Sequence, residues 1–121
     1  MKQIMPQEIE VWYLIPALRR ELAKTFIKNH GLNQKKAAEI LGITEAAISQ
    51  YFNSKRGNEI KFSRNEIEKI EKSAEEILRN PKKVMKELYD LCVELRETKV
   101  ICDLHRNRDK SVPKNCDVCF R

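Results

Sequence analysis

The sequence predicts an all-α bundle of about five helices followed by an irregular C-terminal segment. Three observations carry that prediction. The 121 residues include only 3 Gly and 4 Pro against many Glu, Lys, Leu, Ile and Ala, which argues against sandwiches, barrels and Gly-rich nucleotide folds. Apolar residues recur at spacings of three and four along most of the chain, the signature of one-sided helices. All 4 cysteines, Cys92, Cys102, Cys116 and Cys119, fall after residue 90, where that periodicity fades.

A chain of this length supports one modest core, burying roughly 65% of its unfolded surface. Lys and Arg number 24 against 18 Asp and Glu, a formal charge of +6. This excess permits a nucleic-acid partner without requiring one. It is even along the chain, with nine basic and six acidic residues in 1–60 and fifteen and twelve in 61–121, so charge marks no boundary. No stretch approaches the roughly 18 apolar residues of a membrane span. The N-terminus carries Glu8 and Glu10 and lacks a signal-peptide pattern. A cytoplasmic location is therefore expected, where a disulfide framework is not.

The first helix is predicted over about Pro6 to Asn29, with Trp12, Ile15, Leu18, Leu22 and Phe26 as its apolar stripe. Pro16 should kink it or start a new helix, because it lacks an N–H and clashes with the preceding turn. His30-Gly31 closes it, the glycine supplying a left-handed residue. His30 itself reads as a favourable charge at a helix end. A second helix runs from Asn33 as N-cap to Leu41, and a third from Thr44 as N-cap to about Phe52. A polar loop follows, Asn53 to Glu59. Ser63 and Glu66 form a capping box that opens the fourth helix, with Ile67, Ile70, Ala74, Ile77 and Leu78 on one face. Asn80-Pro81 stops it. The fifth helix, about Pro81 to Glu97, places Val84, Leu88, Leu91, Cys92 and Leu95 together. The last 20 residues lack periodicity and read as a loop.

Residues Gln34 to Tyr51 carry the strongest motif. Ala38 is small where two helices cross, and Gly42 stands at a tight turn that needs a positive φ. Ile43 plugs the corner, and Ile48 and Tyr51 anchor the following helix. A near-perpendicular helix pair with a short turn requires these residue types at these offsets. The segment resembles the helix-turn-helix regulators of the phage-repressor, or XRE-like, type over about residues 10 to 57. That resemblance implies a recognition helix, Thr44 to Phe52, in the major groove of double-stranded DNA. It divides the chain into a DNA-binding part (1–60), a helical linker with the dimerisation helices (61–97) and a cysteine-rich segment (98–121, with Cys92).

On the recognition helix, Thr44, Glu45, Ala46, Ser49, Gln50 and Asn53 point outward, while Ala47, Ile48 and Tyr51 point inward. Gln50 suits an adenine edge, Ser49 is a less selective donor and acceptor, Ala46 suits a thymine methyl, and Glu45 suits cytosine. Gln34 and its neighbouring N–H groups suit a phosphate. Lys35, Lys55 and Arg56 are candidate backbone clamps. One such motif reads few bases, so a homodimer on a palindromic operator is expected, with half-sites about one helical turn apart.

Cys102-Asp-Leu-His105 and Cys116-Asp-Val-Cys119 are two ligand pairs with two-residue spacers. Three chemistries fit. Zinc would take Cys102, His105, Cys116 and Cys119. A [4Fe–4S] cluster would take Cys92, Cys102, Cys116 and Cys119. A reversible disulfide would sense redox state. Cys92 alone also reads as a core thiol, since it shares a face with Leu88, Leu91 and Leu95. The whole chain resembles short archaeal regulators that join an XRE-like domain to a C-terminal cysteine cluster, and that resemblance implies the iron–sulfur reading and a sensor of redox or iron–sulfur status. No Ser/His/Asp set, phosphate loop or paired carboxylates point to an enzyme or a small-molecule substrate. The alternatives are the same DNA-binding regulator with a purely structural Cys₃His zinc site that senses nothing, and a non-DNA adaptor using the same basic surface.

Overall fold

The computed structural model describes residues 3–53, 60–96, 98–113 and 116. Those residues are helical, with no strand among them. The elements are α1 (Pro6–Ile9), a π-helical turn (Glu10–Leu14), α2 (Ile15–Lys28), α3 (Gln34–Leu41), α4 (Glu45–Asn53), α5 (Arg64–Arg79), a 3₁₀ turn (Pro81–Lys83), α6 (Val84–Arg96) and α7 (Lys99–Arg108). α1, the π turn and α2 are continuous, so the described residues form six helical rods.

The first rod shows how Pro16 is accommodated. Pro16 sits in the opening turn of α2, and the preceding residues widen so that the Ile15 N–H reaches the Glu10 carbonyl, five residues back. This π bonding inserts one extra residue per turn and rotates what precedes it. Leu18, Leu22 and Phe26 are fully buried as the periodicity predicts, but Trp12 is 45% exposed, and Ile9 and Leu14 fill the core instead. The predicted stripe is corrected at Trp12 for that reason.

The caps follow the sequence closely. Asn33 Oδ1 accepts the Lys36 N–H (2.8 Å), and Thr44 Oγ1 accepts the Ala47 N–H (3.0 Å). Ser63 and Glu66 exchange bonds of 3.3 and 2.7 Å in a full capping box. α3 ends in a Schellman motif. Gly42 has φ 70°, its N–H bonds the Glu39 carbonyl, and the Ile43 N–H bonds the Ala38 carbonyl.

α2 is the central element and packs on α3, α4, α5 and α6. One hydrophobic cluster runs from Ile9 in α1 through Ile48, Ile70, Ala74 and Ile77 to Leu91, Leu95, Ile101 and Leu104. The C-terminal part is thus joined to the same core as the first helices. α7 corrects the sequence reading, which expects an irregular segment there. Its inward face is Ile101, Leu104, His105 and Asp109. Half of that face is polar, so the hydropathy signal is lost although the helical spacing is kept.

Two polar clamps tie the ends together. The Arg96 guanidinium grips the buried Glu10 carboxylate with Nε to Oε1 at 2.5 Å and Nη2 to Oε2 at 3.1 Å. Buried His105 donates Nε2–H to the Ile4 carbonyl, while Asp109 accepts the Ile4 N–H (2.8 Å). Arg108 lies 5.0 Å from the centre of the Tyr13 ring.

Candidate nucleic-acid interface

α3 and α4 form the corner that the motif predicts. Ala37 and Ile48 are fully buried, Ala38 is 3% exposed and Tyr51 is 1% exposed. The crossing is held by small and aliphatic contacts beneath an outward polar surface. On that surface Thr44, Glu45, Ala46, Gln50 and Asn53 are exposed, and Ser49 is half-buried. Ala47 is half-buried rather than buried, because it lies on the flank between the two faces. Thr44 Oγ1 accepts its own helix-cap bond, which leaves its O–H and its methyl group for a partner.

The structure brings two predicted residues from different helices together. Ser49 Oγ donates to Gln34 Oε1 at 3.1 Å, across 15 residues of chain. The first residue of α3 therefore meets the middle of α4 at the surface, and their polar groups make one patch. Lys35 is exposed beside it. Asn33 takes the Lys36 N–H in the first turn of α3, where the N–H groups of Gln34 and Lys35 also stand, at the end of the helix dipole that favours anions. Lys36 leans sideways towards Glu39 (3.9 Å), an exposed pair of small energetic value. Lys55 and Arg56 lie outside the described residues.

Sequence reasoning missed Arg20. Its Nε donates to the Tyr51 carbonyl at 2.8 Å, placing a cation in the last turn of α4, where the helix dipole favours it. Its guanidinium also lies 3.6 Å from Glu21. The acceptor is a main-chain carbonyl 31 residues away, and no side-chain pattern announces such a partner.

Residues 24–58 match the helix-turn-helix family model. The chain carries a helix-turn-helix domain. The match spans α3, the turn at Gly42 and α4, and begins within α2. The domain type is that of DNA-binding regulators. No curated protein and no solved structure matches the chain. No helix among the described residues is long and apolar enough to cross a membrane.

Cys92, Cys102 and Cys116 lie outside the helix-turn-helix corner, in α6, in α7 and after it. Cys92 lies in the core, 7% exposed. Burial, and then the nearby Glu10 carboxylate, push its thiol up to about 11, against the opposing effect of Arg96 and Arg19. Cys102 and Cys116 are half-exposed, and Cys119 lies outside the described residues. Among the described residues, no three His, Cys, Asp or Glu groups gather where a metal ion fits. Cys92 stands among core side chains, with the charged groups of Glu10, Arg96 and Arg19 nearby. His105 has Nε2 committed to Ile4.

Proposed function

We propose that the protein is a sequence-specific DNA-binding transcriptional regulator that acts as a homodimer on a palindromic operator. One observation carries this reading: Gln34 and Ser49 meet at 3.1 Å on the surface that also presents Ala46 and Gln50. That patch offers amide and hydroxyl groups for base edges, and the first turn of α3 with Lys35 offers charge and N–H groups for a flanking phosphate.

Selection from a randomised duplex pool, followed by titration of the enriched site, is the test. Gln50→Ala should weaken the selected site by about 1–3 kcal/mol, roughly 5- to 150-fold, with an unchanged salt slope. Lys35→Ala should weaken all duplexes and lower the salt slope by about one. Equal affinity for selected and scrambled duplexes would refute the reading and favour an adaptor that docks on protein.

Metal-dependent sensing is a separate proposal. A [4Fe–4S] cluster on Cys92, Cys102, Cys116 and Cys119 would draw the core thiol of Cys92 into its ligand set. Zinc on Cys102, His105, Cys116 and Cys119 requires His105 to ligate through Nδ1 or release Ile4. Iron, sulfide and zinc analysis of protein purified without oxygen decides between them. Metal-free protein with full DNA affinity would remove sensing by metal and leave the regulator reading intact.

A further inference from the structure

α6 turns Leu91, Cys92 and Leu95 into the core, yet keeps two large apolar side chains in solvent. Met85 is 80% exposed and Tyr89 is 65% exposed. They stand one turn apart, with half-buried Val93 one turn further on, so the three form a stripe beside the buried face. A scattered exposed apolar residue is ordinary. A run of them at helical spacing is the geometry of a helix-to-helix contact.

Charge along the helix narrows the occupant. Lys82, Lys83 and Lys86 lie at its N-terminal end, and Asp90 and Glu94 towards its C-terminal half. This order runs against the helix's own dipole, which favours acidic residues first and basic residues last. Lys86 and Asp90 pair within the helix at 2.8 Å, Lys83 reaches Glu76 at 3.9 Å and Lys69 reaches Glu94 at 3.8 Å. All these groups remain substantially exposed and free to share a second partner. Glu87 is half-buried, and Arg96 is held by Glu10. A parallel copy of α6 would set lysines against lysines. An antiparallel copy sets each lysine end against a carboxylate half and opposes the two dipoles.

We propose that the Met85–Tyr89–Val93 stripe is a self-association surface, on which a second copy of this chain lays its own α6 antiparallel. A two-fold axis near Tyr89 stacks the two Tyr89 rings and sets Met85 against Val93 of the second copy. Such an isologous contact uses one patch twice, and tyrosine and methionine are the types enriched at such surfaces. The proposal rests on the dimer named above and specifies its face.

Sedimentation equilibrium of the full chain over micromolar concentrations tests it. The expected result is a reversible dimer, weakened at least tenfold by Tyr89→Glu or Met85→Glu, with unchanged helical circular dichroism because both residues are exposed. Lys86→Glu should weaken the dimer, and adding Glu94→Lys should restore it. A chain that stays monomeric, or a dimer indifferent to Tyr89→Glu and Met85→Glu, overturns the proposal. DNA titration separates the two readings. Tyr89→Glu should retain affinity for a single half-site and lose only the gain on the palindrome. Loss of half-site affinity would assign the stripe another role and also overturn the proposal.

Discussion

Replacing Arg96 by alanine strands the carboxylate of Glu10. The side chain of Glu10 is 11% exposed, whereas that of Arg96 is 40% exposed. The pair therefore lies between two regimes. Breaking a fully buried pair by removing one partner costs about 3–5 kcal/mol, and an exposed pair is worth roughly 0–1 kcal/mol. The two-pronged contact places the cost of Arg96→Ala near 2 kcal/mol, the carboxylate being left with little water. Arg96 is also the last residue of α6, where a cation contributes roughly 0.3–1 kcal/mol through the helix dipole. Arg96→Lys separates these effects, since it keeps the charge and loses the planar fork. Urea and thermal unfolding of the two variants, Glu10→Gln and the double variant give the assay. The expected melting shift for Arg96→Ala is roughly 8 °C, at about 4 °C per kcal/mol for a chain of this size. Glu10→Gln should cost less, because it removes the buried charge and lets Arg96 turn to solvent. A loss below about 0.5 kcal/mol for Arg96→Ala, set against the range for exposed pairs, or no coupling in the double-mutant cycle, would refute the reasoning.

Gly42→Ala should cost about 1–2 kcal/mol from the left-handed backbone alone, because a Cβ there meets nothing within 4 Å; a larger loss by thermal unfolding would reveal a clash that the geometry excludes. Cys92 at pH 8 should react with iodoacetamide about 100-fold more slowly in the native chain than in denaturant, given a thiol pushed up to about 11 from 9.0 and reaction through the thiolate; peptide mass spectrometry reads this, and a gap below tenfold contradicts it. The same shift sets a sign. A thiol whose folded value is raised is held protonated by the fold, so its contribution is complete below pH 9 and lost as pH rises towards 11, which unfolding measured across that range reads. Asp109 has the opposite sign, because the Ser111 hydroxyl, the Ile4 N–H and the Ser111 N–H hold its carboxyl below the usual range. Its contribution is present above the unfolded value and lost as pH falls through the folded one, and Asp109→Ala, which removes the acceptor, should remove hydrogen-exchange protection at the Ile4 amide.

The corner was legible because every level agreed there. Asn33, Thr44 and Ser63 are caps whose side chains do what their positions predict, and Gly42 takes the positive φ its offset demands. The exposed row on α4 follows from the same 3.6-residue period. The π turn was not legible, since Pro16 announces a disruption but not its direction, and Trp12 therefore changes places with Leu14. α7 was hidden by His105 and Asp109, which face inward for the sake of Ile4 rather than for hydrophobic burial. Glu10–Arg96 and Arg20–Tyr51 join residues 86 and 31 positions apart, and only the tertiary fold brings such partners together. Cys92 was legible as a core thiol from its shared face with Leu88, Leu91 and Leu95.

The π turn at Glu10–Leu14 acts as a phase adjuster between the two ends of the chain. Each residue of an α-helix advances about 100° around the axis, so one inserted residue is a rotation of that size. With it, Glu10 faces Arg96, and Ile4 reaches both His105 and Asp109. Deleting Val11 or Trp12 would leave a shorter and more regular helix, better bonded locally. It would also swing Ile4 and Glu10 about a quarter-turn away from α6 and α7. The length of this segment is thus constrained to the residue, although the side chain of Val11 stands largely in solvent and its identity is much less restricted than its presence.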